Sequence, residues 1–173
     1  MAGRGPEAVL ITGVFGSGKS SVAEEIADKL EERRLPYAAL DLDWLAWASA
    51  GKDDEDAEHR MMLTNLIAVV RNYLTVGVRF FVLARAIRDH SKLHSLRAAL
   101  SMPLTVVRLT VSLQEIERRL RSHITTARKR DDLREAATWI EASTGAGIED
   151  LTVPNDRPIN EVAADIMNQV GWS

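Results

Sequence analysis

The chain contains no cysteine, no long apolar run and no excess of basic residues. Without cysteine, disulfide bridges, thiolate metal sites and cysteine nucleophiles are excluded together. The longest unbroken apolar stretches, residues 66–70 and 80–84, are far shorter than the ~18 residues that a membrane span needs. Because 25 acidic residues face 22 basic ones, a broad nucleic-acid-binding surface is not expected.

What is present is the composition of a soluble globular protein. The 173 residues are 46% apolar and 27% charged, and we expect one domain over residues 1–173. Glu7 interrupts the N-terminal segment before its apolar run, so a signal peptide is not expected. We therefore expect a cytoplasmic protein without membrane or nucleic-acid partners, acting as a monomer or a homodimer.

Short apolar runs alternate with amphipathic helical patterns along the chain. Such strands, apolar throughout and separated by helices, predict an α/β fold: a three-layer α/β/α arrangement around about five parallel strands. The predicted strands are residues 8–12, 37–42, 78–84, 104–110 and 151–153, and the main predicted helices are residues 19–33, 56–74, 92–100, a helix from about 112 and 159–170. In such sheets, ligands bind beyond the carboxyl ends of the strands.

A phosphate-binding motif lies at the first of these strand ends. Residues 13–20, Gly-Val-Phe-Gly-Ser-Gly-Lys-Ser, match G-x-x-x-x-G-K-[ST] without a mismatch. The glycines let successive backbone N–H groups point inward at a helix N-terminus, which makes a nest for phosphate. Lys19 supplies a positive charge for the β- and γ-phosphates, and the Ser20 hydroxyl can bind Mg²⁺. The motif predicts binding of ATP with Mg²⁺, through Gly13, Phe15, Gly16, Ser17, Gly18, Lys19, Ser20 and Ser21.

Two acidic residues follow the second predicted strand. Phosphoryl transfer needs a carboxylate near Mg²⁺ and another that orients or deprotonates the accepting hydroxyl. Asp41 is the candidate metal ligand with Ser20, and Asp43 is the candidate for the hydroxyl. The alternative is that Asp43 caps a helix over residues 44–50 and that Asp41 is a solvated strand end.

The phosphate loop, the Leu40-Asp41-x-Asp43 element and their spacing resemble small P-loop metabolite kinases. The adenylylsulfate kinases are the most similar of these, with gluconate kinases and chloramphenicol phosphotransferase as related families. The resemblance implies that Asp43 lies against the substrate hydroxyl. It also implies a substrate role for Arg60, since Glu58-His-Arg60 with Asn65 is similar to that family's Arg/Asn helix. Related kinases seat adenine near the turn before the final helix, which implies a base contact for Asn155.

The region after the third predicted strand departs from the adenylylsulfate kinase pattern. The strand ends at Arg85 in place of an acid, and Ala84-Arg-Ala-Ile-Arg88 replaces the Ser-Phe-Ile-Ser-Pro run of that family. Arg85 and Arg88 could clamp an anionic substrate, or they form salt bridges to Asp89 or Glu58. Trp44 could stack on a flat acceptor, whereas the alternative places both Trp44 and Trp47 in the core.

A basic segment follows the fourth predicted strand and its helix. Related kinases carry a mobile lid there, whose arginines neutralise the charge of the transferred phosphoryl group. We expect this lid at residues 122–134, with Arg128 as the catalytic arginine and Arg130 beside it. The alternative, a solvated helix face, applies most strongly to Arg118, Arg119 and Arg121.

These residues predict an ATP-dependent kinase. Lys19, Asp43 and Arg128 would be the catalytic residues, and Asp41, Asp43, Trp44, Arg60, Arg85 and Arg88 would contact the acceptor. The acceptor would be a hydroxyl of a small metabolite or antibiotic. The alternative is a regulatory module that binds a nucleotide without transferring phosphate, which the non-acidic end of the third strand favours.

Overall fold

Five strands alternate with helices in a computed structural model that describes residues 5–48, 54–120 and 147–172, together with residues 134, 137 and 138. The strands are β1 Glu7–Thr12, β2 Tyr37–Asp41, β3 Phe80–Ala84, β4 Leu104–Thr110 and β5 Leu151–Pro154. The helices are α1 Lys19–Glu32, α2 Leu42–Ala46, α3 Glu55–Thr75, α4 His90–Leu100, α5 Leu113–Leu120 and α6 Ile159–Gln169. All five predicted strands are confirmed, and their ends differ from the prediction by no more than two residues.

All strand pairs of the sheet are parallel, in the order β2-β3-β1-β4-β5. Strand β1 occupies the centre, where Leu10 is in register with Leu83 of β3 and with Val106 of β4. The helices that leave β1 and β3 belong to opposite faces, so a crevice opens between the carboxyl ends of these two strands. The predicted three-layer α/β/α fold with five parallel strands is confirmed.

The continuous apolar character of the strands follows from burial on both faces. In β1, Leu10 packs into the core beneath α3 and α4, while its neighbours Val9 and Ile11 pack into the core beneath α1 and α6. Strand β3 divides in the same way, with Phe81 on the first side and Val82 on the second. Because neighbouring strand residues point to opposite faces, both sets must be apolar.

The N-terminus of α5 shows half of a capping box, the motif in which a serine and a glutamate three residues later cap each other's backbone N–H groups. The Glu115 backbone N–H donates to Ser112 Oγ at 3.2 Å. The Glu115 carboxylate accepts from Arg118 and Arg119 at 2.7–2.8 Å. These guanidinium groups give the carboxylate stronger, charge-assisted partners than a backbone N–H would.

No helix in the described part of the chain is long and apolar enough to cross a bilayer. The predicted lid at residues 122–134 lies outside the described residues apart from residue 134, and so does the predicted catalytic Arg128. The prediction of a lid there stays a prediction.

Candidate active site

The loop between β1 and α1 has the backbone conformation that its glycines permit. Gly13, Gly16 and Gly18 have φ values of 147°, 75° and 91°, which side chains other than glycine rarely allow. Gly18 is the N-cap of α1, where no side chain caps the helix and no acidic residue lies in the first turn. The free N–H groups and the positive end of the helix dipole therefore remain available to an anion.

Close packing fixes two of these glycines. A Cβ atom at Gly13 would lie 2.8 Å from the carbonyl oxygen of Leu109, and one at Gly18 would lie 2.6 Å from Asn155 Nδ2. Both distances are shorter than real Cβ contacts. The two positions therefore require glycine for space as well as for conformation.

Lys19 begins α1 and reaches back over the loop, where its Nζ donates to the carbonyl oxygen of Val14 at 3.1 Å. Burial lowers the pKa of the Lys19 ammonium, while Asp43 and Asp41 act in the opposite direction and Arg88 lowers it further. All three side chains are thus close enough to Lys19 for their charges to affect it. Polyphosphate binding would restore the charge that burial disfavours.

Asp41, at the end of β2, connects the loop to the helix that follows. Its Oδ2 accepts from Ser20 Oγ at 2.8 Å, and its Oδ1 accepts from the backbone N–H of Asp43 at 3.1 Å. Asp41 is therefore the N-cap of α2. The alternative considered above, in which Asp43 caps a helix over residues 44–50 and Asp41 is a solvated strand end, is wrong on both points.

Ser20 and Asp41 are suited to be the ligands that the protein would supply to Mg²⁺. A hydroxyl and a carboxylate meet beside the phosphate loop, and oxygen ligands are those that Mg²⁺ prefers. Within the described residues, no group of three or more histidine or acidic side chains could hold a metal by itself. Mg²⁺ usually binds proteins through one or two side-chain oxygens together with phosphates and water.

Asp43 forms an ion pair with Arg85. Arg85 Nη1 lies 3.2 Å from Asp43 Oδ1 and also donates to the carbonyl oxygen of Leu42 at 3.2 Å. The Arg85 side chain is only 16% exposed, whereas that of Asp43 is 65% exposed. The arginine is thus fixed against α2, and the carboxylate stands at the open edge of a cavity. The alternative prediction of a salt bridge from Arg85 to Asp89 or Glu58 is wrong, because Arg85 pairs with Asp43.

A cavity of about 400 Å³ opens beside Asp43, at the carboxyl end of β3 and the N-terminal turns of α3 and α4. We call it the acceptor cavity. Its lining residues are Asp43, Glu55, Glu58, His59, Arg85, Ala86, Ile87, Arg88, Asp89 and Lys92. It includes three of the residues predicted to contact the acceptor, namely Asp43, Arg85 and Arg88. Arg60 is exposed, lies 4.0 Å from Asp54 and is not part of the lining.

Trp44 lies on the other side of α2, where it lines a cavity of about 350 Å³ together with Ser20 and Asp41. Trp44 and Trp47 are 67% and 75% exposed, and their ring centroids are 4.6 Å apart. The alternative that placed both rings in the core is wrong. Helix α2 buries Leu42 and Ala46, which lie one turn apart on the same face, so Trp44 between them projects from the opposite face into solvent.

Side chains from the other half of the sheet brace the phosphate loop. Asn155, after β5, is 3% exposed, and its Nδ2 donates to the carbonyl oxygen of Ser17 at 2.7 Å. Arg119 of α5 donates to the same oxygen at 3.3 Å and to the Asn155 carbonyl oxygen at 2.7 Å. The base contact predicted for Asn155 stays a prediction.

The sequence analysis did not predict that Arg119 contacts the phosphate loop. The interpretation of Arg119 as part of a solvated helix face is wrong, because its guanidinium lies against the loop. Its spacing from Ile116 gave one signal, since a side chain three residues from a buried one is on a neighbouring part of the helix surface. Arg118, by contrast, is exposed and pairs with Glu115 at 2.7 Å.

Three predicted nucleotide-binding residues differ in exposure. Phe15 is 45% exposed at the tip of the loop, and Ser21 is exposed on α1. Ser17 is fully buried, and its Oγ has no hydrogen-bond partner among the described residues. Their nucleotide contacts remain predictions.

A strand, a glycine-rich loop of this sequence and a helix at the centre of a five-stranded parallel sheet define a P-loop NTPase fold. Residues 5–132 match the family described as adenylylsulphate kinase, so the chain belongs to that family of P-loop kinases. Comparison with curated proteins gives no significant match.

Solved structures with a similar fold cover nearly the whole chain. The Mycobacterium tuberculosis APS kinase CysC, in complex with AMPPNP and APS, is 24% identical with a TM-score of 0.62 and 98% and 99% of the two chains covered. A gluconokinase from Sinorhizobium meliloti 1021 is 21% identical with a TM-score of 0.63 and 98% of both chains covered. The Deinococcus radiodurans tunicamycin resistance protein is 19% identical with a TM-score of 0.63, covering 97% of this chain and 96% of that one. At these identities the likeness establishes the fold.

Proposed function

We propose that the protein is an ATP-dependent phosphotransferase whose acceptor is an alcohol group of a small metabolite or antibiotic. The observation that carries the proposal is the meeting of three features at one sheet edge. The phosphate loop with Lys19, the Ser20–Asp41 pair and the Asp43 carboxylate at a cavity all lie there. A donor, its metal and an acceptor need that arrangement.

The loop N–H groups and Lys19 would bind the phosphates of ATP, and Ser20 with Asp41 would hold Mg²⁺. Bound Mg²⁺ would neutralise charge on the phosphate oxygens. Asp43 would orient the acceptor hydroxyl and take its proton as the hydroxyl oxygen bonds to the γ-phosphorus. The bond from that phosphorus to the β–γ bridging oxygen breaks, and ADP leaves. Arg85, 3.2 Å from Asp43, would hold the carboxylate in place for this role.

The nucleotide base would lie beyond the carboxyl ends of β4 and β5. A cavity of about 280 Å³ is lined there by residues that include Thr110, Glu115 and Asp156, next to Asn155. We assign the proposed base contact of Asn155 to this place, and the proposed Arg128 of the lid would close from the same side. A cytoplasmic location and a monomer or homodimer remain part of the proposal.

Binding of ATP is examined by calorimetry with and without Mg²⁺. Lys19→Ala should weaken ATP binding by at least tenfold, because the side chain belongs to the phosphate site. Lys29→Ala is the matched control, since Lys29 lies on the same helix and pairs only with Glu25 at 3.3 Å among the described residues. Equal affinity for both variants would overturn the assignment of the phosphate site.

Transfer is examined with a panel of hydroxyl compounds and measurement of ADP and phosphorylated product. Asp43→Asn should lower kcat by 10²-fold or more, which is the scale of a general base, and should leave ATP affinity nearly unchanged. Asp28→Asn, on the exposed face of α1, is the control and should leave kcat unchanged. Full activity of Asp43→Asn would remove the proposed role of this carboxylate.

The alternative function is a nucleotide-binding regulatory module without transfer. It is favoured by the end of β3, where Arg85 stands in place of an acid and neutralises Asp43. Calorimetry separates the two functions. A kinase should bind an acceptor compound in a second site whose affinity depends on the nucleotide, whereas the module should bind the nucleotide alone.

A further inference from the structure

The lining of the acceptor cavity is almost entirely ionisable. Eight of its ten residues carry titratable side chains, and the remaining two are Ala86 and Ile87. Among the described residues, no phenylalanine, tyrosine or tryptophan lines this cavity. A planar base is normally held on an aromatic or apolar face, which this lining does not offer. A molecule rich in hydroxyl groups matches it instead, because each hydroxyl can both donate and accept.

The cations of the cavity already have partners within the chain. Arg85 pairs with Asp43 at 3.2 Å, and Lys92 pairs with Glu55 at 3.3 Å. Arg88 acts on Lys19 through its charge, so it lies toward the phosphate loop. An anionic group on the acceptor would have to compete with these carboxylates, and it would also approach the negative charge of bound ATP.

The carboxylates outnumber the cations. Four acidic residues face three basic ones in the lining, and the Glu58 carboxylate makes no hydrogen bond or ion pair within the described part of the chain. Glu58 is exposed in the first turns of α3, where it can accept hydrogen bonds from a ligand. The charge balance thus disfavours an acceptor with a negative charge.

His59 does not change this balance. It is 8% exposed, and its Nε2 lies 2.8 Å from Ser95 Oγ, which itself donates to the carbonyl oxygen of Lys92 at 2.9 Å. Since the one hydroxyl proton of Ser95 is used there, Nε2 must be the protonated nitrogen and Nδ1 holds a lone pair. Burial lowers the pKa of His59, and the nearby Arg85 and Lys92 lower it further. The ring is therefore neutral at pH 7.

We propose that the acceptor is a small polyhydroxylated molecule, uncharged or carrying an ammonium group, rather than an anionic nucleotide such as adenylylsulfate. The unpaired carboxylate of Glu58 would bind the ammonium group of an acceptor that carries one, and Asp43 would receive the reacting hydroxyl. This inference rests on the proposed function, because it names the substrate class of the same site.

The first experiment compares four acceptors with the full chain, ATP and Mg²⁺: myo-inositol, glucosamine, gluconate and adenylylsulfate. ADP release and the mass of the product are measured. We expect kcat/KM for myo-inositol or glucosamine to exceed that for gluconate and for adenylylsulfate by at least tenfold. Preference for gluconate or adenylylsulfate overturns the inference and leaves the proposed function standing. Binding of ATP without phosphorylation of any compound overturns both.

The second experiment removes the unpaired charge. Glu58→Gln should lower kcat/KM for glucosamine by about three- to fivefold, the upper scale of one exposed ion pair, and should change that for myo-inositol by less than twofold. If glucosamine is not phosphorylated, its affinity as a competitive inhibitor replaces kcat/KM. Glu32→Gln, an exposed residue of α1, is the matched control and should change neither value. An equal effect of Glu58→Gln on both compounds, or none on either, overturns the assigned role of Glu58.

Discussion

Two glycines with the same positive φ value allow the packing of the phosphate loop to be measured. Gly18 and Gly77 both have a φ value of 91°. A Cβ atom at Gly77 would meet nothing within 4 Å, whereas one at Gly18 would lie 2.6 Å from Asn155 Nδ2. Substitution by alanine therefore imposes the strain of a positive φ at both positions, and a steric clash at Gly18 alone.

The expected losses in the free energy of unfolding follow from this conformational strain and this steric clash. The left-handed conformation costs alanine about 1–2 kcal/mol, so Gly77→Ala should lower the free energy of unfolding by about 1 kcal/mol once the smaller entropy of the unfolded chain is included. Gly18→Ala should also displace the Asn155 side chain and break its hydrogen bond to Ser17, which adds about 1–3 kcal/mol for a buried polar group. We therefore expect a total cost of about 2–4 kcal/mol for Gly18→Ala.

Urea denaturation measures both variants, with the m-value checked for constancy. Combining Gly18→Ala with Asn155→Ala should cost less than the sum of the two single substitutions by about 1 kcal/mol, because the clashing side chain is absent. ATP affinity should fall for Gly18→Ala and stay unchanged for Gly77→Ala. Equal costs for the two glycines, or strict additivity in the double variant, would refute the packing argument.

Three further outcomes follow from single residues. Asp41→Ala should lower the free energy of unfolding, measured in urea, by about 1 kcal/mol, because the N-cap of α2 is lost. Asp41→Asn should keep the cap and weaken only Mg²⁺-dependent nucleotide binding, measured by calorimetry. Burial lowers the pKa of Lys19, so ATP affinity should be full below that pKa and should fall as pH rises through it, at a pH below the ordinary lysine pKa of 10.5. Calorimetry between pH 7 and 10 measures this decrease, and Lys19→Arg should abolish it. Leu66→Ala should lower the free energy of unfolding by about 2–5 kcal/mol, measured in urea, since Leu66 is fully buried.

The fold was predictable from the sequence because burial on both faces leaves a simple pattern. Residues 80–84 are apolar at every position, and such short continuous runs between helices predict a parallel sheet. The glycine-rich motif then placed the phosphate loop at one strand end. The Ser20–Asp41 contact also agreed with expectation, because residues that end neighbouring segments at one sheet edge lie close together.

The sequence did not reveal which polar side chains face the site. Arg119 and Arg118 are adjacent, and only contacts across the fold distinguish the one that braces the loop from the one in solvent. Trp44 has the aromatic ring of a core residue, but the buried face of α2 is that of Leu42 and Ala46, and Trp44 lies on the opposite face. The first turns of α3 and α4 are in contact through a hydrogen bond between His59 and Ser95, which are 36 residues apart in the sequence. No local sequence pattern predicts such a contact.

The contact of Asn155 with Ser17 has a consequence for how much of the chain the phosphate loop requires. The family match ends at residue 132, whereas Asn155 belongs to the segment after it. A fragment that ends at residue 132 would keep the whole motif and lose the Asn155 side-chain amide, which donates to the Ser17 carbonyl oxygen of the loop. The packing that holds the phosphate loop therefore extends beyond the segment by which the family is recognised.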